Sequence, residues 1–472
     1  MSRNGKTDEA SAVAQEQVWA RETAERLVEA ARRAGATQCD ATVGLGSSLQ
    51  AKARDGEIED ISRSRSRAAG IRVVVEGRLG FATAAEAPRS SEAIDELACT
   101  AVALAEVSTA SEHNRIPEPS ANSVSKDAAP EDTLALWDPE IANAEPQWAA
   151  DHALAMESVV RNAAGIQSVR EVGASTSWGV FALATSTGFL GSYASTSAYL
   201  GASGVADEGD GKKQVDGWWD ASREMATLQA PESIAEKAVE RVLARVGARK
   251  VPSTKAPVLF DPSLAKGFFA AILSAINGDA VSRRASFLAE KLGKTVLTPG
   301  IRVFEDPFIP GGFASRPFDD EGLKVQARDL IDDRGVLQTW LLDARSASRL
   351  GLEPTGHATR GAMGLPYPSS SNVQVLGGKG DLSSIIADTP RGLLVTSLLG
   401  HGPDMVTGEY SRGASGFWIE NGEIAHPVEE VTIAGEMAEM MMSIDRFGSD
   451  LDTRSSLHAP TIRFAELSIS GS

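Results

Sequence analysis

Histidines, carboxylates, thiols and nucleophilic hydroxyls carry most protein chemistry, and their spacing decides what they can do together. The six histidines stand at 113, 152, 357, 401, 426 and 458. No two lie three or four residues apart, the spacing that places ligands on one helix face, so local metal-ligand spacing is missing. His401 with Asp404 could form an acid–base pair or simply a structural loop pair. Gly413-Ala414-Ser415-Gly416 falls one residue short of the G-x-S-x-G elbow that exposes a serine nucleophile. Followed by Phe417-Trp418-Ile419, it reads as a turn leading into a strand. Gly377-Gly378-Lys379-Gly380-Asp381 lacks the Walker spacing and its Lys-Ser/Thr pair, and reads as Asp381 capping a short helix through 386. The run 62–67, SRSRSR, alternates at strand period; it could read phosphate, but charge of this kind also protects an exposed sheet edge.

A length of 472 residues predicts two or three domains. An apolar fraction of 42% can build real cores, and the net charge of −18 opposes binding to nucleic acid or anionic lipid. Cys39 and Cys99 are too few for a disulfide framework and suit a reducing compartment. The N-terminal stretch is polar, without a signal-type apolar core, and no apolar run approaches the roughly 20 residues a membrane span needs. The expectation is a soluble cytoplasmic protein with no nucleic-acid and no membrane partner.

The elements follow from local pattern. Ala24, Leu27, Val28 and Ala31 mark one helix face and Gly35 its end. A strand at 40–43, turns at Asp55-Gly56 and Glu76-Gly77, and a second helix at 94–105 complete a first domain, 1–110. Five prolines between 117 and 146 make 111–147 a linker or surface crossing. The central domain, 148–250, holds a helix at 148–163, a long antiparallel hairpin at 174–205 turning on Thr187-Gly188, a strand at 215–219, and a helix at 231–246 opened by Pro. The C-terminal domain, 251–472, begins with a strand at 256–260 and a helix that is apolar nearly all round, hence expected to be buried on most sides. A hairpin over Asp332-Asp333-Arg334-Gly335, a short helix at 343–350 and a Gly-rich mobile loop at 357–364 follow. The fold class expected is α+β: a small α/β N-terminal domain, a central α+β domain with a long antiparallel hairpin, and a mostly antiparallel β C-terminal domain.

The stretch 396–442 organises the rest. Asn421-Gly422 reads as a tight hairpin turn, Ser411-Arg412-Gly413 as a bend, and Met437, Met440, Met441 and Met442 as either a subunit contact or core. Here, in HGPDMVTGEYSRGASGFWIENGEIAHPVEEVTIAG (401–435) and in APTIRFAELSISG (459–471), the chain resembles the TldD/PmbA family, more closely its PmbA (TldE) branch. That resemblance implies a bacterial or archaeal cytosolic metallopeptidase system in which TldD-type and PmbA-type chains pair. In the TldD branch the helix after the first strand of this domain carries His-Glu-x-x-x-His followed by Gly-Asp. Anchored on Gly278-Asp279, the matching positions here are Phe269 and Ser274 for the ligands and Ala270 for the glutamate. Phe and Ala cannot ligate zinc or take a proton, a serine hydroxyl is a poor ligand, and no cysteine follows Cys99.

The resemblance and the residues together imply a subunit with no catalytic residue, metal ligand or cofactor of its own, zinc being expected only in a TldD-type partner. Its role would be to shape a chamber for peptides or unfolded protein, with His401, Thr407, Gly408, Glu409, Tyr410, Ser411, Arg412 and Gly413 as candidate peptide-contacting residues. The alternative is a non-enzymatic homodimer that binds peptides or a protein. A third possibility is an independent hydrolase using His401, Asp404 or Ser415.

Overall fold

The computed structural model describes residues 6–118, 131–209 and 211–471. Helix α1 (Lys6–Arg33) leads into β1 (Gln38–Arg54), β2 (Glu57–Val75), β3 (Arg78–Ala84) and α2 (Ser91–Glu106). Then come the one-turn α3 (Pro139–Ala142), α4 (Pro146–Asn162), β4 (Ser168–Thr185), β5 (Leu190–Asp207), β6 (Lys213–Ser222) and α5 (Pro231–Ala244). The turns at Asp55-Gly56 (φ 54° and 81°) and Glu76-Gly77 (49° and 74°) take the left-handed pair that joins twisted strands in two residues.

All six strands form one sheet, ordered β3-β2-β1-β4-β5-β6. β1 pairs with β4 from Asp40↔Thr185 to Lys52↔Gly173, so the stretches read as N-terminal and central domains share a sheet. The strand expected at 40–43 is the start of a much longer one. Within the Pro-rich crossing, 119–130 lie outside the described residues, while Ile116, Leu134, Leu136 and Ile141 on its flanks are buried. One sheet face is packed: α1 and α2 cover one cluster that includes Val43, Ile71 and Val180, and α4 and α5 cover another around Leu49, Val172 and Leu200.

The remainder contains β7 (Thr254–Phe260), α6 (Pro262–Ala275), α7 (Gly278–Ser282), β8 (Arg302–Glu305), β9 (Arg328–Ile331), α8 (Ala344–Leu350), β10 (Ala358–Thr359) and β11 (Tyr367–Pro368). It continues with β12 (Val373–Leu376), α9 (Leu382–Ala387), β13 (Arg391–Leu399), β14 (Glu409–Glu420), β15 (Glu423–Glu436), α10 (Met437–Met442), β16 (Ile444–Phe447), β17 (Leu457–His458) and β18 (Ile462–Ser470). β15, β14, β13, β7 and β18 pair in that order, and β18 pairs back to β15, so the five strands close into a ring with β16 added outside β18. β7 and β13 are parallel, the rest of the ring antiparallel. Met437, Met440 and Met441 are buried in this core and only Met442 is exposed. Asp381 caps α9 through a capping box with Ser384, and the turn at 332–335 closes with Gly335 N–H on the Asp332 carbonyl at 2.9 Å. Its second arm is no regular strand; it touches the first through the isolated bridge Ile331↔Leu337.

The open sheet is locked to the C-terminal part of the chain, through its segment 321–360, by buried charges. Arg72 donates from Nε to Asp40 (3.0 Å) and from Nη1 to Glu321 (3.0 Å), Arg360 Nη1 donates to Asp40 (2.8 Å), and the Ala344 N–H donates to Glu321 (2.8 Å). Burial opposes ionisation of Asp40, but Arg360 and Arg72 outweigh it and hold the carboxyl below its usual range. The loop 357–364, expected to be mobile, is part of this lock. His357 and Arg360 are buried, the Ala362 carbonyl accepts from Thr42 Oγ1 at 3.0 Å, and a Cβ at Gly44 would stand 2.8 Å from that of Ala362. Glycines on the sheet let the loop lie flat, and its own glycines do not set it free.

Beside it, His357 Nε2 lies 2.6 Å from Glu305 and Nδ1 lies 2.6 Å from Thr355 Oγ1. Burial opposes it, yet His357 and the Ser371 N–H bring the Glu305 carboxyl down to about 2. A depressed carboxyl contributes stability above its unfolded value of roughly 4.3 and loses it as pH falls towards the folded value. Acid titration of stability between about pH 4 and 2 should therefore be shallower in Glu305→Gln, which should also be less stable at pH 7; an unchanged slope would contradict this.

Candidate functional site

Helix α6 starts because Asp261 accepts from the Leu264 N–H (2.9 Å) and Ser263 Oγ (2.6 Å) and Pro262 stands in the first turn. Phe269 is fully buried, edge-to-face with Phe268 at 5.6 Å; Phe268 meets Phe464, and Phe464 meets Phe260, each at 5.1 Å. Burial on most sides holds, with one exception. Gly267, Ala270 and Ser274 form an exposed stripe, because small side chains make the helix apolar without filling the space beside it. Ser274 Oγ donates to the Ala270 carbonyl at 2.9 Å. A zinc ion of the kind the resemblance places on this helix does not fit these residues: one position is a packed ring, one a methyl, one a hydroxyl turned to the backbone. Among the described residues no group of three or more His, Cys, Asp or Glu could hold a metal ion.

The other candidates sit apart. Asp404 accepts from the Val406 and Thr407 N–H groups, both at 2.8 Å; the Thr407 and Val406 N–H groups also hold its carboxyl below the usual range. It shapes a turn and makes no hydrogen bond to His401, which is exposed. Ser415 is buried opposite Ser397 in the β13–β14 pairing, not at a sharp turn. Ser411-Arg412-Gly413 is likewise no bend, since all three lie within β14 and pair with β15. The bend is at Gly408 (φ 83°), where Cβ-free backbone passes Phe287 and Met437. Thr407, Glu409 and Ser411 are exposed, Gly408 and Tyr410 buried, Arg412 and Gly413 half-buried. Burial pushes the Tyr410 phenol up to about 12, so it stays protonated at neutral pH. On the side away from β15, β13 ends at Leu399 opposite Gly413. Among the described residues no strand continues beside 410–412.

A second surface went unread in the sequence. The six-stranded sheet is helix-covered on one face only, and the other face is paved with small polar residues. Gly46, Ser48, Ser64, Ser66, Ser177, Gly179, Ser195 and Ser197 share it by register, with Ser48 to Ser64 at 2.8 Å and Ser177 to Ser197 at 2.9 Å. The SRSRSR run supplies three of its serines (62, 64 and 66), while its arginines point to the helix side, where Arg63 reaches the Ala144 carbonyl at 2.9 Å. Among the described residues, 62–66 have no strand partner on the outer side, since β3 pairs only from Ala69 on and Arg67 makes just an isolated bridge to Glu86. The edge reading of the run therefore holds.

At the far end of that face lies a cleft of about 520 Å³ lined by Gln50, Lys52, Glu171, Tyr199, Trp218 and Trp219, among others. Tyr199 stacks on Trp219 (6.0 Å, 25°), and Lys266 and Arg454 stand over the Trp219 ring at 5.5 and 4.7 Å. Lys266 pairs with Asp452 at 2.8 Å; burial works against that carboxylate, but Arg454 and Lys266 hold it strongly ionised. The tandem Trp218-Trp219 next to Gly217 is the signal available in the sequence, where local pattern shows only a strand.

A six-stranded open sheet, ion-locked to a C-terminal part built on a closed ring of strands, defines a two-part α+β scaffold. The chain belongs to the PmbA/TldA metallopeptidase family, whose domain 1, central domain and C-terminal domain match residues 39–105, 139–246 and 253–471. It is 34% identical to the metalloprotease PmbA of Escherichia coli O157:H7 over 92% of each chain, and 32% identical to the PmbA homolog of Haemophilus influenzae over 94% of each. In fold it is similar to TldE from Thermococcus kodakarensis (TM-score 0.84, 23% identity, 95% of this chain and 99% of that one). A candidate modulator of DNA gyrase from Bacteroides thetaiotaomicron is similar too (TM-score 0.86, 25% identity, 96% and 98%).

Proposed function

We propose that this chain is the zinc-free member of a two-chain metallopeptidase, shaping a chamber in which a TldD-type, metal-bearing paralogue cleaves peptides or unfolded protein. The observation that carries this reading is α6: where the family's other branch is expected to hold ligands, Phe269 is packed into the core while the ring around it is fully built. Two features support a peptide as the guest. Residues 410–412 keep one backbone edge free, where an extended chain can add through main-chain hydrogen bonds that ignore side-chain identity. The Ser/Gly face offers small polar groups and no bulky obstruction. No helix among the described residues is long and apolar enough to cross a membrane, and the reading places the pair in the cytoplasm.

Elemental analysis of the purified chain should find no stoichiometric zinc; about one tightly held zinc per chain would overturn the proposal. Restoring Phe269→His, Ala270→Glu and Ser274→His together should yield no peptidase activity, because ligands without their supporting hydrogen bonds bind metal poorly. Oligomeric mass with and without the paralogue separates this reading from a peptide-binding homodimer.

A further inference from the structure

We infer that the Tyr199–Trp219 cleft is a specificity pocket that takes one neutral aromatic side chain of an extended peptide lying along the Ser/Gly face; this rests on the peptide-chamber reading above. Four observations lead there. The cleft's 520 Å³ falls within the range of about 300–1,000 Å³ typical of ligand sites. Its lining includes Gly173, Gly201 and Gly217 on adjacent strands: Gly173 faces Gly201, whose partner on β6 is Trp219, while Gly217 faces Ser203, and the Tyr199 ring lies over Gly201 where a side chain would otherwise stand. Tyr199 is 43% exposed although its ring is stacked on Trp219, leaving a second aromatic surface for a guest. Finally, the cleft continues the small polar face: Tyr199 pairs with Ser175, one row beyond the Ser177–Ser197 pair. A peptide held there by its backbone can reach this cleft with one side chain.

Charge selects among guests. Lys52 and Glu171 pair at 2.8 Å on the rim and cancel. Behind Trp219, Lys266 and Arg454 share one carboxylate, Asp452, and leave one positive charge in excess. Cations already stand over the indole, so a lysine or arginine side chain gains little by cation–π contact and meets repulsion. A phenyl or phenol ring gains an offset stack on Tyr199 without that penalty.

The test uses the whole chain and two probes. N-acetyl-phenylalaninamide, followed by ligand-observed NMR, reads the cleft alone; a fluorescent Gly/Ser peptide with a single central Phe, compared with its Ala and Lys versions by anisotropy, reads the cleft on a held backbone. Saturable binding of the amide, lost in Tyr199→Ala and retained in Tyr199→Phe, is expected, with the Phe peptide binding about three- to tenfold tighter than the Ala peptide, as one aromatic pair supplies, and the Lys peptide no tighter than Ala. Tyr199 is exposed enough for these variants to fold, which circular dichroism checks. Peptides that bind with a Phe preference unmoved by Tyr199→Ala would overturn the pocket and leave the peptide reading standing. Amide binding at Tyr199 with no peptide binding would do the reverse, and a Lys preference would overturn the charge argument and with it the pocket.

Discussion

Phe269→Ala should lower the unfolding free energy of this chain by about 3–5 kcal/mol, the range for deleting a buried ring and leaving a cavity. The ring is wholly buried and stands at one end of the series Phe269–Phe268–Phe464–Phe260, which ties the entry helix to β7 and β18. Collapse into the gap is opposed by the closed ring of strands. Phe269→His should destabilise as well, since a buried imidazole would need a hydrogen-bond partner that the surrounding rings cannot offer. Denaturant unfolding checks both, and curves superimposable on the parent would contradict the packing role assigned to this position. The corresponding substitution at exposed Ala270, Ala270→Ser, should change little.

Asp40→Ala is expected to cost a similar amount, about 3–5 kcal/mol, for a different reason. Removing this carboxylate strands Arg360 and half of Arg72 in a dry joint, and uncompensated buried charge is far costlier than the pair is worth. Arg72 keeps Glu321 as a partner, whereas Arg360 loses its side-chain ion pair. The double variant Asp40→Ala/Arg360→Met should therefore recover part of the loss. A double variant no better than Asp40→Ala would mean that the cost comes from lost packing and not from stranded charge.

What the sequence could reveal was what its chemistry fixes locally. Asn421-Gly422 takes φ of 53° and 77° in a two-residue hairpin, Asp381 caps its helix, and the strand–turn–strand unit around Thr187-Gly188 folds as its residues suggest. These features depend on neighbours a few residues away. The joint does not: Arg72 and Glu321 are 249 residues apart and Asp40 and Arg360 are 320 apart, and no local pattern announces such a pairing. For the same reason the continuity of the sheet through β1 and β4 was invisible, as alternation shows that a strand has a buried face but not which strand lies beside it. Ser411-Arg412-Gly413 misled because glycine and serine are turn residues, although here glycine serves a crowded strand. The candidate peptide edge at 410–412 was legible as a segment, but its free side follows only from where β13 stops. Trp218-Trp219 carried a signal in its composition; what shapes the cleft is the Tyr199 ring, which lies over Gly201 and stacks on Trp219 across paired strands.

The central claim, a chain that shapes a chamber without cutting, is tested most directly by a three-way peptidase assay on this chain alone, on a TldD-type paralogue alone, and on the mixture. The account predicts chelator-sensitive cleavage of unstructured peptide that appears only in the mixture. Cleavage by the pure chain, proportional to its concentration and abolished by His401→Ala, would contradict it.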